Sequence, residues 1–246
     1  MKTTIAILAL AGCVGTLSAA DLTGKITLKG TPPAEKLLPG IMDDPACGKT
    51  HTEKPKTAHY VVGPKGEFAN VVVVIKGVPG AKSTGASVAP AVLDQKNCIY
   101  VPQIIAVQTG QKITVKNSDP VAHNVRSTPI SGMTAIGFMQ MKGAPDQTIS
   151  LDKVEDFLRF KCDVHNWMFA YATVVDHPYF AVTGADGTFK IANVPPGKYT
   201  VEAQHRKISG IVDANNAVTG FKGLTQEVEI KADGGKADFE FTAPAK

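Results

Sequence analysis

A chain of 246 residues with 43% hydrophobic side chains is long enough to bury one large core or two small ones. Its formal net charge is only +4 and no Lys/Arg cluster stands out, so nothing points to nucleic acid and none is expected as a partner. The 16 prolines and 23 glycines punctuate runs of Val, Thr and Ile, a pattern that predicts short strands and no helix longer than a turn or two.

Residues 1–20 read as an export signal: Lys2, an apolar run from Ile5 to Leu17, then Ser18-Ala19-Ala20 as a small-residue cleavage site. Leu10-Ala11-Gly12-Cys13 also fits a lipobox, in which Cys13 is lipidated and becomes the mature N-terminus. Both readings place the mature protein in the periplasm or cell envelope, free in one case and lipid-anchored in the other. Beyond the leader no apolar run is long enough to span a bilayer as a helix.

In chain order, Gly24–Gly30 alternates Ile26 and Leu28 with polar neighbours, as a half-buried strand does. Residues 34–60 lack periodicity and read as an extended surface segment. Asn70–Ile75 is apolar on both faces, the mark of a central strand covered on both sides. From about Ala91 come Tyr100–Val107, a Thr109-Gly110 turn and Lys112–Asn117, with His123 directly after. Residues 127–146 read as a mobile loop rich in Gly, Pro and Met, its Met133, Met139 and Met141 serving as packing filler. Thr148–Leu151 and Phe157–Cys162 are strands, the latter with Leu158, Phe160 and Cys162 on one core-facing side. Tyr171–Val175 is another. Gly184–Gly187 marks a hairpin turn, and alternation at Phe189/Ile191, Tyr199/Val201, Val228/Ile230 and Phe239/Phe241 completes an all-β tail.

The chemistry gathers in Cys162-Asp-Val-His165-Asn-Trp-Met168. Thiolate, imidazole and thioether suit an ion cycling between Cu(I) and Cu(II), and His123 supplies the second imidazole. The set His123, Cys162, His165 and a weak axial Met168 is that of a mononuclear blue-copper (type 1) site holding one ion. Covalent haem is disfavoured because C-x-x-C-H is absent, a dinuclear copper centre because the loop has one Cys, and a multicopper oxidase because no H-x-H pair occurs. The remaining histidines, His51, His59, His177 and His205, are expected at the surface. Of four cysteines, Cys13 lies in the leader, which leaves an odd three. If Cys162 holds metal, Cys47 and Cys98 are left to pair as a disulfide in an oxidising compartment; otherwise one of the three is simply buried and reduced.

Residues 91–177 resemble a cupredoxin, on the strength of Tyr100-Val-Pro, Val107–Gly110, Val115-Lys-Asn117, Ala122-His-Asn124 and the ligand loop. The short loop is most similar to that of amicyanin, with Asn166 where related loops often carry proline. The resemblance implies a Greek-key β-barrel, a role for Asn124 in clamping the two ligand loops, and an electron exit through a surface-near His165, with Trp167 and Phe169 in a docking patch. Thr183–Val201 resembles the hairpin of a transthyretin-like or carboxypeptidase-regulatory-like β-sandwich. The expected organisation is therefore a signal peptide (1–20), a β-sandwich made of 21–90 and 178–246, and a cupredoxin-like domain (91–177) inserted into or joined to it. The whole chain is also similar to exported bacterial proteins loosely called methylamine utilisation proteins, a label that fixes no activity. These resemblances imply a one-electron carrier rather than an enzyme. Its partner is expected to be a redox protein such as a c-type cytochrome or a dehydrogenase. Copper storage without electron shuttling is the alternative.

Overall fold

The computed structural model describes residues 18–214 and 217–244. The signal segment up to residue 17, including the lipobox Cys13, lies outside the described residues. Strands run in order as β1 (Ala20–Lys29), β2 (Val72–Lys76), β3 (Ala91–Lys96), β4 (Ile99–Val101), β5 (Ile104–Gln108), β6 (Lys112–Asn117), β7 (His123–Thr128), β8 (Gly137–Gln140), β9 (Gln147–Ser150) and β10 (Glu155–Lys161). They continue as β11 (Phe169–Val175), β12 (Phe180–Val182), β13 (Thr188–Val194), β14 (Gly197–Gln204), β15 (Gly210–Val212), β16 (Val218–Phe221), β17 (Leu224–Ile230), β18 (Gly235–Lys236) and β19 (Phe239–Thr242). The fold is all-β, and among the described residues no helix is long and apolar enough to cross a membrane.

The two ends of the chain build two sheets together. In one, β1 runs antiparallel to β13 and parallel to both β18 and β19; in the other the order is β12-β2-β14-β17. Both sheets feed one buried cluster, with Leu22, Ile26, Phe68, Val73, Ile75, Ile191, Val201, Ile230 and Phe241. Burying each such side chain stabilises the fold by roughly 1.5–3 kcal/mol.

The middle of the chain builds two more sheets, β5-β11-β10-β7-β8 and β4-β3-β6-β9, which share a second core. That core includes Leu93, Ile113, Val115, Val125, Leu158, Phe160 and Val174, and the alternation in β10 does turn Leu158, Phe160 and Cys162 inward. A third, smaller cluster joins the two halves along β2. Val71, Val73 and Ile75 face the first core, while Val72 and Val74 pack with Ile104, Phe157, Tyr171 and Val175. That double burial is the reason the strand is apolar on both faces.

Several local expectations need correction. The 34–60 segment does run largely along the surface, but Leu38, Ile41 and Cys47 anchor it in the second core. Without periodicity they carry no strand or helix signal, and only tertiary packing buries them. The supposed loop at 127–146 contains a strand, β8, paired with β7, and Met133 lies in the core while Met139 and Met141 are exposed. Gly184–Gly187 does turn the chain, with Gly187 at φ +72° and its Cβ position 2.5 Å from the Ile26 carbonyl oxygen. The strands on either side, however, join different sheets, so this is a corner between layers and not a hairpin. The histidines expected at the surface are not there either: His177 and His205 are buried, and His51 and His59 are half-buried. His205 stands at the end of β14 against the ring of Phe68, 4.4 Å between centroids, where the strand carries it into the first core.

Candidate metal centre

His123 opens β7 and Cys162 directly follows β10, two strands paired antiparallel through Arg126 and Lys161. The loop after Cys162 is short and closed on itself. The Met168 N–H donates to the His165 carbonyl at 2.9 Å and the Cys162 N–H to the Met168 carbonyl at 3.3 Å. Asn166 is exposed and the turn holds its shape without a proline there. This closure carries His165 back over Cys162 and leaves Met168 wholly buried in the core beside them.

The result is a convergence of donor atoms. His123 and His165 face each other through Nδ1 at 2.9 Å, and the Cys162 Sγ lies 3.9 Å from His165 Nδ1. One nitrogen of each histidine and the sulfur all lie within 4.8 Å of one another, and all three residues are buried. Cys162 is the free cysteine among the described residues, because Cys47 and Cys98 form a disulfide.

Each donor is prepared by its surroundings. Burial opposes the charged thiolate, yet hydrogen bonding from His123 and the N–H groups of Asn124, His165 and Val164 brings the Cys162 thiol below its ordinary range. The Asn124 and His165 N–H groups stand 3.5 and 3.3 Å from the sulfur. Burial and the neighbouring His123 lower the basicity of His165. For His123 burial acts the same way, but the Asp119 carboxylate and Cys162 outweigh it and raise the ring's pKa. His123 Nε2–H donates to Asp119 at 2.9 Å, which leaves its Nδ1 lone pair facing the centre. A neutral imidazole and a thiolate are the forms a metal ion requires. The two imidazoles and the thiol therefore fit a borderline-to-soft ion such as copper.

Asn124 reaches from one loop to the other. Its side chain accepts from the Asp163 N–H at 2.5 Å and donates to the Asp163 carboxylate at 3.0 Å, and its carbonyl accepts from the Tyr100 hydroxyl at 2.6 Å.

Two carboxylates escaped the sequence reading. Asp119 also accepts the N–H groups of Asn97 and Cys98 at 2.6 and 2.8 Å, and so braces the two-residue turn between β3 and β4. Both turn residues sit at positive φ (57° and 54°), uncommon for a cysteine. An acidic residue four before His123 in a tight turn is a signal that points to this role. Asp44 lies 3.8 Å from His165 Nε2 and accepts the Ala46 and Cys47 N–H groups at 2.9 and 2.8 Å. Nothing in the sequence ties Asp44 to a histidine so far downstream; the disulfide and the fold do. Contrary to the expected surface-near electron exit, His165 is only 5% exposed, covered by Asp44 and by Trp167 at 5.1 Å between ring centroids. Trp167 itself donates from Nε1 to the Cys98 carbonyl at 3.0 Å, and Phe169 stacks on His59; both rings are half-buried.

No family model matches the chain, and no curated protein matches it. Among solved structures it is similar to a methionine-to-alanine variant of amicyanin in its Cu(I) form, at 20% identity over 42% of this chain and 97% of that one, with a TM-score of 0.32. An oxidised proline-to-alanine variant of amicyanin matches at 21% identity and TM-score 0.32, and a reduced proline-to-phenylalanine variant at 23% and 0.31, with the same coverage of both chains.

Proposed function

We propose that this chain is an exported copper protein that holds one ion through His123, Cys162 and His165, with Met168 as a weak fourth donor, and passes single electrons between envelope redox proteins. The observation that carries this reading is the buried convergence of two imidazole nitrogens and a free thiol within 4.8 Å of one another. Copper bound there supplies a one-electron couple. The chain's own residues bring the thiol below its ordinary range, turn one nitrogen of each imidazole toward the sulfur, exclude water, and hold the donors on β7, the end of β10 and a short closed loop so that they move little. The leader at residues 1–20 supports export. A redox protein, such as a c-type cytochrome or a dehydrogenase, is the kind of partner this role requires.

We also propose that residues 21–90 and 178–246 form one sandwich interrupted by the 91–177 unit. The pairing of β1 with β13, β18 and β19 supports that division.

Copper storage is a second reading with an observation in its favour, because Asp44 and Trp167 close off the outer edge of His165. Titration of the purified protein with Cu(II) separates the two. The carrier reading expects one equivalent bound and a blue or green colour from thiolate-to-copper charge transfer, lost in Cys162→Ser. Copper bound by a colourless wild-type protein overturns the carrier and leaves storage.

A further inference from the structure

We propose that the Cys47–Cys98 disulfide masks a second metal site, which opens when the bridge is reduced and takes one additional soft monovalent ion, copper(I) or silver(I). Each imidazole of the first centre has two nitrogens, and the fold uses them on opposite sides. The inner Nδ1 atoms face each other at 2.9 Å. The outer Nε2 atoms face Asp119 at 2.9 Å and Asp44 at 3.8 Å. The two halves of the disulfide lie on those outer sides. Cys47, Asp44 and His165 each offer a ligand atom within 4.8 Å of the other two, and so do Cys98, Asp119 and His123. Both cysteines are wholly buried.

As a disulfide these sulfurs are poor donors. Reduction by an external dithiol or a phosphine adds two electrons and two protons across the sulfur–sulfur bond and gives two thiols. A thiophilic ion then binds them as thiolates, releasing the protons. The two freed sulfurs are the principal ligands, and a carboxylate oxygen of Asp44 or Asp119 beside them completes the set.

Other features of the structure favour a site that survives cutting the bridge. The backbone around each cysteine is held independently: Asp44 accepts the Cys47 N–H, Asp119 accepts the Cys98 N–H, and Trp167 donates to the Cys98 carbonyl. Access also exists. An open cleft of about 620 Å³ lies between Asp44-Pro45-Ala46 on one side and Pro120-Val121 on the other, next to the chain neighbour of Cys47 and to that of Asp119, which holds the Cys98 N–H.

The inference rests on the copper reading of the first centre, whose histidines pack against both halves of the disulfide, so the experiment separates the two. Copper(I), delivered as its acetonitrile complex against a chromogenic chelator, is titrated into the full mature protein before and after phosphine reduction, the phosphine having been removed. One equivalent is expected in the oxidised protein and two in the reduced protein. Cys162→Ser is expected to bind none when oxidised and one when reduced. The Cys47→Ser/Cys98→Ser variant is expected to bind one under both conditions. An empty oxidised wild type refutes the first centre. An equal count before and after reduction, or no ion in reduced Cys162→Ser, overturns the second site. So does a loss of the near-ultraviolet dichroism on reduction, since the second site requires the folded loops. Silver(I) in place of copper(I) is expected to repeat the increment.

Discussion

Two parts of this molecule bury histidines, and they do so to opposite ends. At the edge of the second core, His123 and His165 each turn one nitrogen toward a carboxylate and the other toward the shared space beside Cys162. In the first core, His205 donates from Nε2 to the His59 carbonyl at 3.0 Å, and its Nδ1 accepts from the Lys207 N–H at 3.4 Å. Backbone partners satisfy both nitrogens of His205, so it has no lone pair left for an ion. Burial, the first cause, drives its pKa down to about 3. A buried histidine thus becomes a metal ligand where the fold leaves one nitrogen facing other donors, and becomes packing where the backbone takes both.

The comparison breaks most severely if the two cores are separated. Deleting residues 178–246 strips β1 of β13, β18 and β19, and β2 of β12 and β14. Cooperative folding of residues 21–90 is expected to be lost, as read by circular dichroism and limited proteolysis. A protease-resistant 21–90 core in that truncation refutes the discontinuous sandwich.

Matched substitutions sharpen the contrast next. His123→Gln is expected to lose tight copper binding, whereas His205→Gln keeps one equivalent. The His205 variant should differ instead in acid. The folded protein holds this ring neutral down to about pH 3, while the unfolded chain takes up a proton near the ordinary histidine value of 6.5. The unfolded state therefore binds more protons between those limits, and stability falls as pH drops through that window. Removing His205 flattens that slope by about 1.4 kcal/mol per pH unit, measurable by denaturant unfolding at a series of pH values.

The disulfide bridges a separation of 51 residues and ties the irregular segment to the turn that Asp119 braces. Cys47→Ser/Cys98→Ser is expected to cost about 2–4 kcal/mol in urea unfolding. A loss below the error of the measurement would show that packing of Leu38 and Ile41 alone fixes the segment.

Asp119→Asn tests the outer-nitrogen partner of His123 and is expected to weaken copper affinity about 10–100-fold. The smallest effect is that of Met168→Leu. In a carrier the thioether mainly tunes potential, so the variant keeps its colour and its reduction potential rises. A severe loss of Cu(I) affinity instead identifies the thioether as a full ligand and points to storage.

How much of this was legible in the residues varies by region. The strand periods were plain: Leu158, Phe160 and Cys162 alternate because β10 lies on a core, and the run at 70–75 is apolar throughout because β2 has a core on each side. The donors were legible as types in order, since soft ligands clustered in a short loop have few other uses. The strand β8 was not, because Gly137, Met139 and a short exposed edge carry no alternation. His177 and His205 were misjudged because one histidine at a strand end gives no sign of which way the chain will turn.

The sequence by itself determined the all-β character, the positions of most strands, a donor set suited to a soft ion, and an odd cysteine count that leaves Cys47 and Cys98 to pair only if Cys162 holds metal. These follow from local propensity and short spacings, which the chain carries with it into any fold. Tertiary structure alone decided that Asp44 and Cys47 pack against His165, that Asp119 serves both a turn and a histidine, and that the surface-near imidazole is covered by Asp44 and Trp167. Those contacts join segments tens of residues apart, where no periodicity connects them and where packing and a disulfide choose the neighbours.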